Sequence, residues 1–90
     1  NKSVGIGFEA LNNNSNGNSN VAIGYNALKT SSGSENVAIG FEALKINSTG
    51  GSNVAIGAFA LNKNRGSNNV ATGRVSLFNT TTGGFNSAYG

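Results

Sequence analysis

The chain has 90 residues, of which 17 are Asn and 14 are Gly, and it contains no Cys, His, Asp, Pro, Met or Trp. Without cysteine, neither a disulfide nor a thiolate–zinc site can hold the fold together. The net charge of +3 comes from six basic and three acidic side chains spread along the chain. This pattern is typical of solvated polar loops and too sparse for a nucleic-acid interface, and no apolar run approaches the ~20 residues of a membrane span.

A four-residue motif ending in Gly recurs along the whole chain. Its copies occupy residues 4–7, 21–24, 37–40, 54–57, 70–73 and 87–90, and they start 17, 16, 17, 16 and 17 residues apart. A repeat this short cannot bury its own apolar face and must stack on its neighbours. Alternating apolar residues followed by Gly and a polar stretch indicate a short strand and a turn, not a helix. We therefore predict an all-β fold, a parallel β-solenoid of about five coils of 16–17 residues each.

A second column of glycines lies in the polar half of each repeat, at Gly17, Gly33, Gly50, Gly66 and Gly83. Each stands seven residues before the next motif glycine, so all variation in repeat length falls in the polar loop. This is expected if the apolar half is a strand held in register. The predicted organisation is one repeat domain over residues 1–90, with coils 1–17, 18–33, 34–50, 51–66 and 67–83 and a partial coil 84–90. We interpret it as an excerpt of a longer fibrous protein.

Side chains at equivalent positions form columns along the rod. The larger apolar side chains are predicted to fill the core: Val21, Ile23, Val37, Ile39, Val54, Ile56, Leu28, Leu44 and Leu61. The small residue between Val and Ile, Ala in most copies, then faces the other way. We expect other copies of the chain to cover that face, because an isolated thin rod buries little apolar surface for the residues it orders. One asparagine precedes each motif, and stacked amides predict a hydrogen-bonded ladder through Asn20, Asn36, Asn53, Asn69 and Asn86.

The sequence Asn-Val-Ala-Ile-Gly at residues 53–57, followed by Ala60 and Leu61, resembles the head repeats of YadA-like trimeric autotransporter adhesins. It equally resembles the repeat arrays in shafts of phage tail fibres and related bacterial surface proteins, to which residues 76–90 are most similar. The resemblance implies a left-handed parallel β-roll with three chains to a fibre. It also implies an extracellular location, on a bacterial cell surface or a virion, and a host-surface glycan or protein receptor. The function we predict is structural and adhesive: a rigid segment that presents loops for multivalent attachment.

Two other functions stay open at this stage. A carbohydrate-binding solenoid would use the aromatic column Phe8, Tyr25 and Phe41 for glycan contact, although such columns are more often packing. A filament subunit would grow end to end by strand addition.

The sequence offers little reaction chemistry. Glu9 and Glu42 fall in one column two coils apart, about 9.6 Å, near the carboxylate spacing of inverting glycosidases. The residue between them is Asn26 and the repeat implies no cleft, so we interpret both as solvated charges. Residues 5–10 match a dinucleotide fingerprint, but no helix and no suitably spaced acidic residue follow. We expect no catalytic, cofactor-binding or metal-binding residues, no nucleic-acid partner and no membrane insertion of this segment.

Overall fold

The structure, a computed structural model, describes residues 2–14, 17–47, 49–77, 79–80 and 84–90. These residues form short parallel strands stacked in a β-solenoid, which confirms the all-β repeat fold predicted from the sequence. The strands are β1 (Val4–Ile6), β2 (Asn13–Asn14), β3 (Val21–Ile23), β4 (Thr30–Ser31), β5 (Val37–Ile39), β6 (Ile46–Asn47), β7 (Val54–Ile56), β8 (Lys63–Asn64), β9 (Val70–Thr72), β10 (Asn79–Thr80) and β11 (Ser87–Tyr89). In the described part of the chain, no helix has the length and apolar character needed to cross a membrane.

The strands belong to two sheets that alternate along the chain. The odd-numbered strands, which carry the repeated motif, form a six-stranded sheet in chain order, here sheet A. The even-numbered strands form a five-stranded sheet, here sheet B. Every pairing is parallel and places equivalent residues on each other, for example Val37 on Val54 and Asn47 on Asn64. The additional residue of a 17-residue coil falls between Asn47 and Gly50, outside the paired strands, so the register survives it.

The core lies between the two sheets and differs in part from the predicted one. Its buried apolar residues are leucines and alanines: Ala22, Ala27, Leu28, Ala38, Ala43, Leu44, Ala55, Ala60, Leu61 and Ala71, all without exposed surface. The space is tight, because a Cβ placed on Gly5 would lie 3.2 Å from Leu11 Cδ1. The equivalent positions of the next coils hold fully buried alanines, so the space accommodates a methyl group.

The orientation of sheet A therefore corrects part of the predicted core. Leu28, Leu44 and Leu61 are buried, but the small Ala column faces inward and the Val and Ile side chains face outward. The six residues assigned wrongly to the core are Val21, Ile23, Val37, Ile39, Val54 and Ile56, of which the valines and Ile39 are half-buried and Ile23 and Ile56 exposed. The prediction that other copies of the chain cover the Ala column is also wrong, because that column faces the core of its own chain. Alternation correctly groups Val with Ile, but it does not say which face is inside.

The turn after sheet A is sharp in every coil. Gly40 has φ 132°, and a Cβ there would lie 2.7 Å from the carbonyl oxygen of Gly57 in the next coil, so no other residue fits. Two residues further on, the chain enters the left-handed region, and the core leucines adopt it too, with φ 48° at Leu44 and at Leu61. Such a conformation costs about 1–2 kcal/mol per non-glycine residue. It is kept in each coil because it directs the leucine side chain into the core.

The predicted asparagine column forms a continuous ladder of hydrogen bonds. In each step, the side-chain oxygen of one asparagine accepts a hydrogen bond from the backbone N–H of the asparagine in the next coil. This bond is 2.9 Å long from Asn36 to Asn20, from Asn53 to Asn36 and from Asn86 to Asn69. The side-chain amides of Asn20, Asn36 and Asn53 donate to the carbonyl oxygens of Gly33, Gly50 and Gly66. The ladder thus ties each coil to the next and to its own loop. Gly83, the last member of the loop-glycine column, lies outside the described residues.

Candidate interaction surface

The outward side of sheet A is an apolar strip that none of the described residues covers. We define the outer face as the outward positions of the first five strands of sheet A, residues 4, 6, 21, 23, 37, 39, 54, 56, 70 and 72. In β11, Ser87 and Tyr89 continue these two columns with polar side chains. No member is charged, and Thr72 is the only polar one. Val4, Ile6, Ile23 and Ile56 are between 36% and 58% exposed. Large exposed apolar patches on small chains are typical of interaction sites, which makes this face the candidate interaction surface.

The aromatic column lies beside the outer face, one residue beyond the motif glycine. The rings of Phe8 and Tyr25 stack with centroids 5.4 Å apart, and those of Tyr25 and Phe41 with centroids 5.0 Å apart. The interplanar angles of 11° and 10° show that the rings lie almost parallel. The spacing follows from the distance of about 4.8 Å between neighbouring parallel strands. Phe59 continues the row by packing edge-on against Phe41 at 5.4 Å.

This stacking bears on the glycan-contact hypothesis for Phe8, Tyr25 and Phe41. Sugars bind aromatic side chains through the ring faces, and here those faces are turned towards neighbouring rings. What the column offers to a ligand is mainly ring edges. The geometry favours packing, and it extends the apolar surface of the outer face sideways.

The acidic residues that suggested a carboxylate pair are engaged with lysines. Glu9 Oε1 lies 3.2 Å from Lys29 Nζ, and Glu42 Oε2 lies 3.6 Å from Lys45 Nζ. Asn26, in the coil between them, also donates from Nδ2 to Glu42 Oε2 at 3.3 Å. A carboxylate pair for hydrolysis needs free carboxyl groups facing one substrate, and these ion pairs do not provide that arrangement. The described residues contain no cluster of three or more His, Cys, Asp or Glu side chains suited to a metal ion.

Sheet B presents a different, more polar surface. Its outward positions include Thr30, Ile46 and Lys63, all exposed, and Arg65 follows in the adjoining loop. The polar loops with the αL residues Glu35, Ser52 and Asn68 also lie at the surface. The two sides of the coil therefore differ: one is apolar and uncharged, and the other is polar and carries basic groups.

Two features of this surface escaped the sequence reasoning. Phe59 was missed because it stands one position after the aromatic column, where Ala58 takes the expected place. The contact of Asn26 and Lys45 with one oxygen of Glu42 was missed because it depends on the rotamers of side chains in two coils. For the contact with Glu42, the sequence did offer one signal. Asn26 and Glu42 are 16 residues apart, which is one repeat, so they occupy equivalent positions in neighbouring coils.

Comparisons of the chain with protein-family models, with curated proteins and with solved structures found no match.

Proposed function

We propose that this chain is a structural and adhesive segment of a homotrimeric fibre on a bacterial cell surface or a virion. The single observation that carries the proposal is the apolar, uncharged outer face, which no residue of the described ranges covers. Further copies of the same face are suitable partners, because apolar surfaces without charges can pack together around a shared symmetry axis. The resemblance of the repeats to fibre-forming proteins supports three copies and an extracellular location.

The extent of the exposed surface supports association. Four residues of the outer face and three stacked rings are between 36% and 64% exposed. With ~150–200 Å² for each whole side chain, they expose roughly 600 Å² of apolar surface. The half-buried valines add to this area. A stable interface buries about 800 Å² on each partner, so covering the outer face and the aromatic column yields a contact of the required size.

The arrangement of the coils supports a mechanical role. Each coil is joined to the next by strand pairing in both sheets and by the asparagine ladder. A rod with contacts of this kind in every coil resists bending and serves as a spacer. With the outer face turned towards other copies, sheet B and the polar loops point outwards. Weak contacts of such loops with a receptor gain strength when many copies act together. The proposal includes no enzymatic step.

Sedimentation equilibrium of the isolated 90-residue chain tests the proposal. We expect a mass of three times 9.0 kDa. Ile56→Lys places a charge on the outer face and should shift the mass towards that of one chain. Thr30→Lys, at an exposed position of sheet B, is the matched control and should leave the assembly intact. A folded single chain at all concentrations, or equal effects of the two substitutions, would contradict the proposal.

A further inference from the structure

An asparagine and a lysine from neighbouring coils contact the same carboxylate oxygen. Asn26 Nδ2 donates to Glu42 Oε2 at 3.3 Å, and Lys45 Nζ lies 3.6 Å from that oxygen. Asn26 is only 5% exposed. The side chain of Glu42 is 17% exposed and that of Lys45 is 32% exposed, so the lysine approaches from the solvent side. An amine, a carboxylate and a buried amide are thus held together by the stacking of two coils.

The amide of Asn26 is incompletely satisfied in this arrangement. Its Oδ1 atom is buried and has no hydrogen-bond partner, which is costly for a polar atom away from water. Half a turn about the Cβ–Cγ bond brings Oδ1 to the position where Nδ2 now meets Glu42. An ionised carboxylate cannot donate a hydrogen bond there, but a protonated one can. A proton moved from Lys45 to Glu42 therefore supplies Oδ1 with a donor.

We propose that Lys45 and Asn26 form an isopeptide bond between neighbouring coils, with Glu42 as the catalytic residue. Glu42 takes a proton from the Lys45 ammonium, which leaves a neutral amine, the nucleophilic form of lysine. The Glu42 carboxylic acid then donates to Asn26 Oδ1 and polarises the amide carbonyl. The bond from Nζ to Cγ forms, and the bond from Cγ to Nδ2 breaks.

The reaction balances without a co-reactant. Glu42 passes a proton from the attacking nitrogen to the departing Nδ2, which leaves as ammonia, and Glu42 returns to its carboxylate form. Overall, one ammonium group and one primary amide become one secondary amide and one ammonium ion. No atom is oxidised or reduced. The product links the second and third coils covalently, in a chain that has no cysteine for a disulfide. The inference does not depend on membership of a fibre.

The preceding coil offers a matched control. Lys29 Nζ lies 3.2 Å from Glu9 Oε1, with both side chains about one-third exposed. Among the described residues, no asparagine amide donates to that carboxylate. The Glu9 carboxylate therefore contacts a lysine but lacks the asparagine contact through which the proposed reaction proceeds. Replacing Lys29 should not affect the bond.

Intact-mass measurement of the folded 90-residue chain, followed by tryptic mapping, tests the proposal. We expect the folded chain to be lighter than its sequence mass by one ammonia, and a branched peptide to join Asn26 to Lys45. Lys45→Arg and Glu42→Gln should restore the full mass, and Lys29→Arg should retain the loss. Circular dichroism checks that each variant is folded. If Glu42→Gln unfolds, the mass of Lys45→Arg, which keeps the positive charge, tests the proposal. A full sequence mass for the folded parent overturns the proposal. So does a loss of ammonia without the branched peptide, as a succinimide would give, or a loss that persists in Lys45→Arg.

Discussion

The asparagine ladder allows a sharp prediction at its centre, Asn36→Ala. Asn36 has no exposed surface. Its Oδ1 accepts from Asn53 twice, from the backbone N–H at 2.9 Å and from Nδ2 at 3.1 Å. Its own Nδ2 donates to the carbonyl oxygen of Gly50 at 3.0 Å. The substitution to alanine removes all three hydrogen bonds.

Not all of the former partners lose every contact. The carbonyl oxygen of Gly50 keeps a hydrogen bond from Asn47 Nδ2, and Asn53 Nδ2 keeps the carbonyl oxygen of Gly66. Only the buried backbone N–H of Asn53 loses its acceptor. An orphaned buried donor costs about 1–3 kcal/mol, and the lost hydrogen bonds add about 1 kcal/mol. We therefore expect Asn36→Ala to lower the free energy of unfolding by about 2–4 kcal/mol.

The chain itself indicates a matched variant. Ser3 stands at the equivalent position of the first coil, and its hydroxyl oxygen accepts from the backbone N–H of Asn20 at 3.1 Å. Asn36→Ser keeps an acceptor for Asn53 and should cost clearly less than Asn36→Ala. The assay is equilibrium urea unfolding, followed by circular dichroism at one fixed protein concentration, because assembly shifts apparent stability. The reasoning is refuted if Asn36→Ala stays within about 0.5 kcal/mol of the parent, or if serine costs as much as alanine.

Two further substitutions probe the packing of the coil. Gly50→Ala should prevent folding of the coil, because its Cβ would collide with the carbonyl oxygen of Gly66. Gly5→Ala should be tolerated, because alanine fills the equivalent position at Ala22 and the close contacts of a Cβ with Ala10 O and Leu11 Cδ1, at 3.2 Å, need only a small shift of these neighbours. Circular dichroism of both variants makes the comparison, and a well-folded Gly50→Ala chain would count against the close stacking of the loops. Leu44→Ala should lower the free energy of unfolding by about 2–5 kcal/mol, because it leaves a cavity in a fully buried position. A cost below about 1 kcal/mol in urea unfolding would mean that the leucine column does not fill the core.

The repeat spacing alone was enough to predict which residues stack on each other. It was not enough to predict which side chains fit inside the coil, because that depends on the width of the coil. One asparagine per coil at a fixed position was enough to predict the ladder, because register stacks equivalent residues. The direction of the Val and Ile side chains was not predictable from alternation, which gives two faces without a preferred inside. Ala38 and its equivalents face inward because the space opposite the leucines is narrow. The contact of Asn26 with Glu42 depends on side-chain rotamers in two coils, and no repeat pattern encodes those.

The central claim is that the outer face of sheet A joins copies of this chain, and single-cysteine cross-linking tests it most directly. The chain has no cysteine of its own, so Val37→Cys and Ile39→Cys each place one thiol on the outer face. Thr30→Cys places one on the exposed side of sheet B as a control. A disulfide requires Cα atoms within about 7 Å, which equivalent residues reach only close to a shared axis. The account predicts that mild oxidation gives covalent dimers with at least one outer-face variant and none with Thr30→Cys. The account would be contradicted if only Thr30→Cys gave covalent dimers. It would also be contradicted if the chain assembled and none of the three variants gave them.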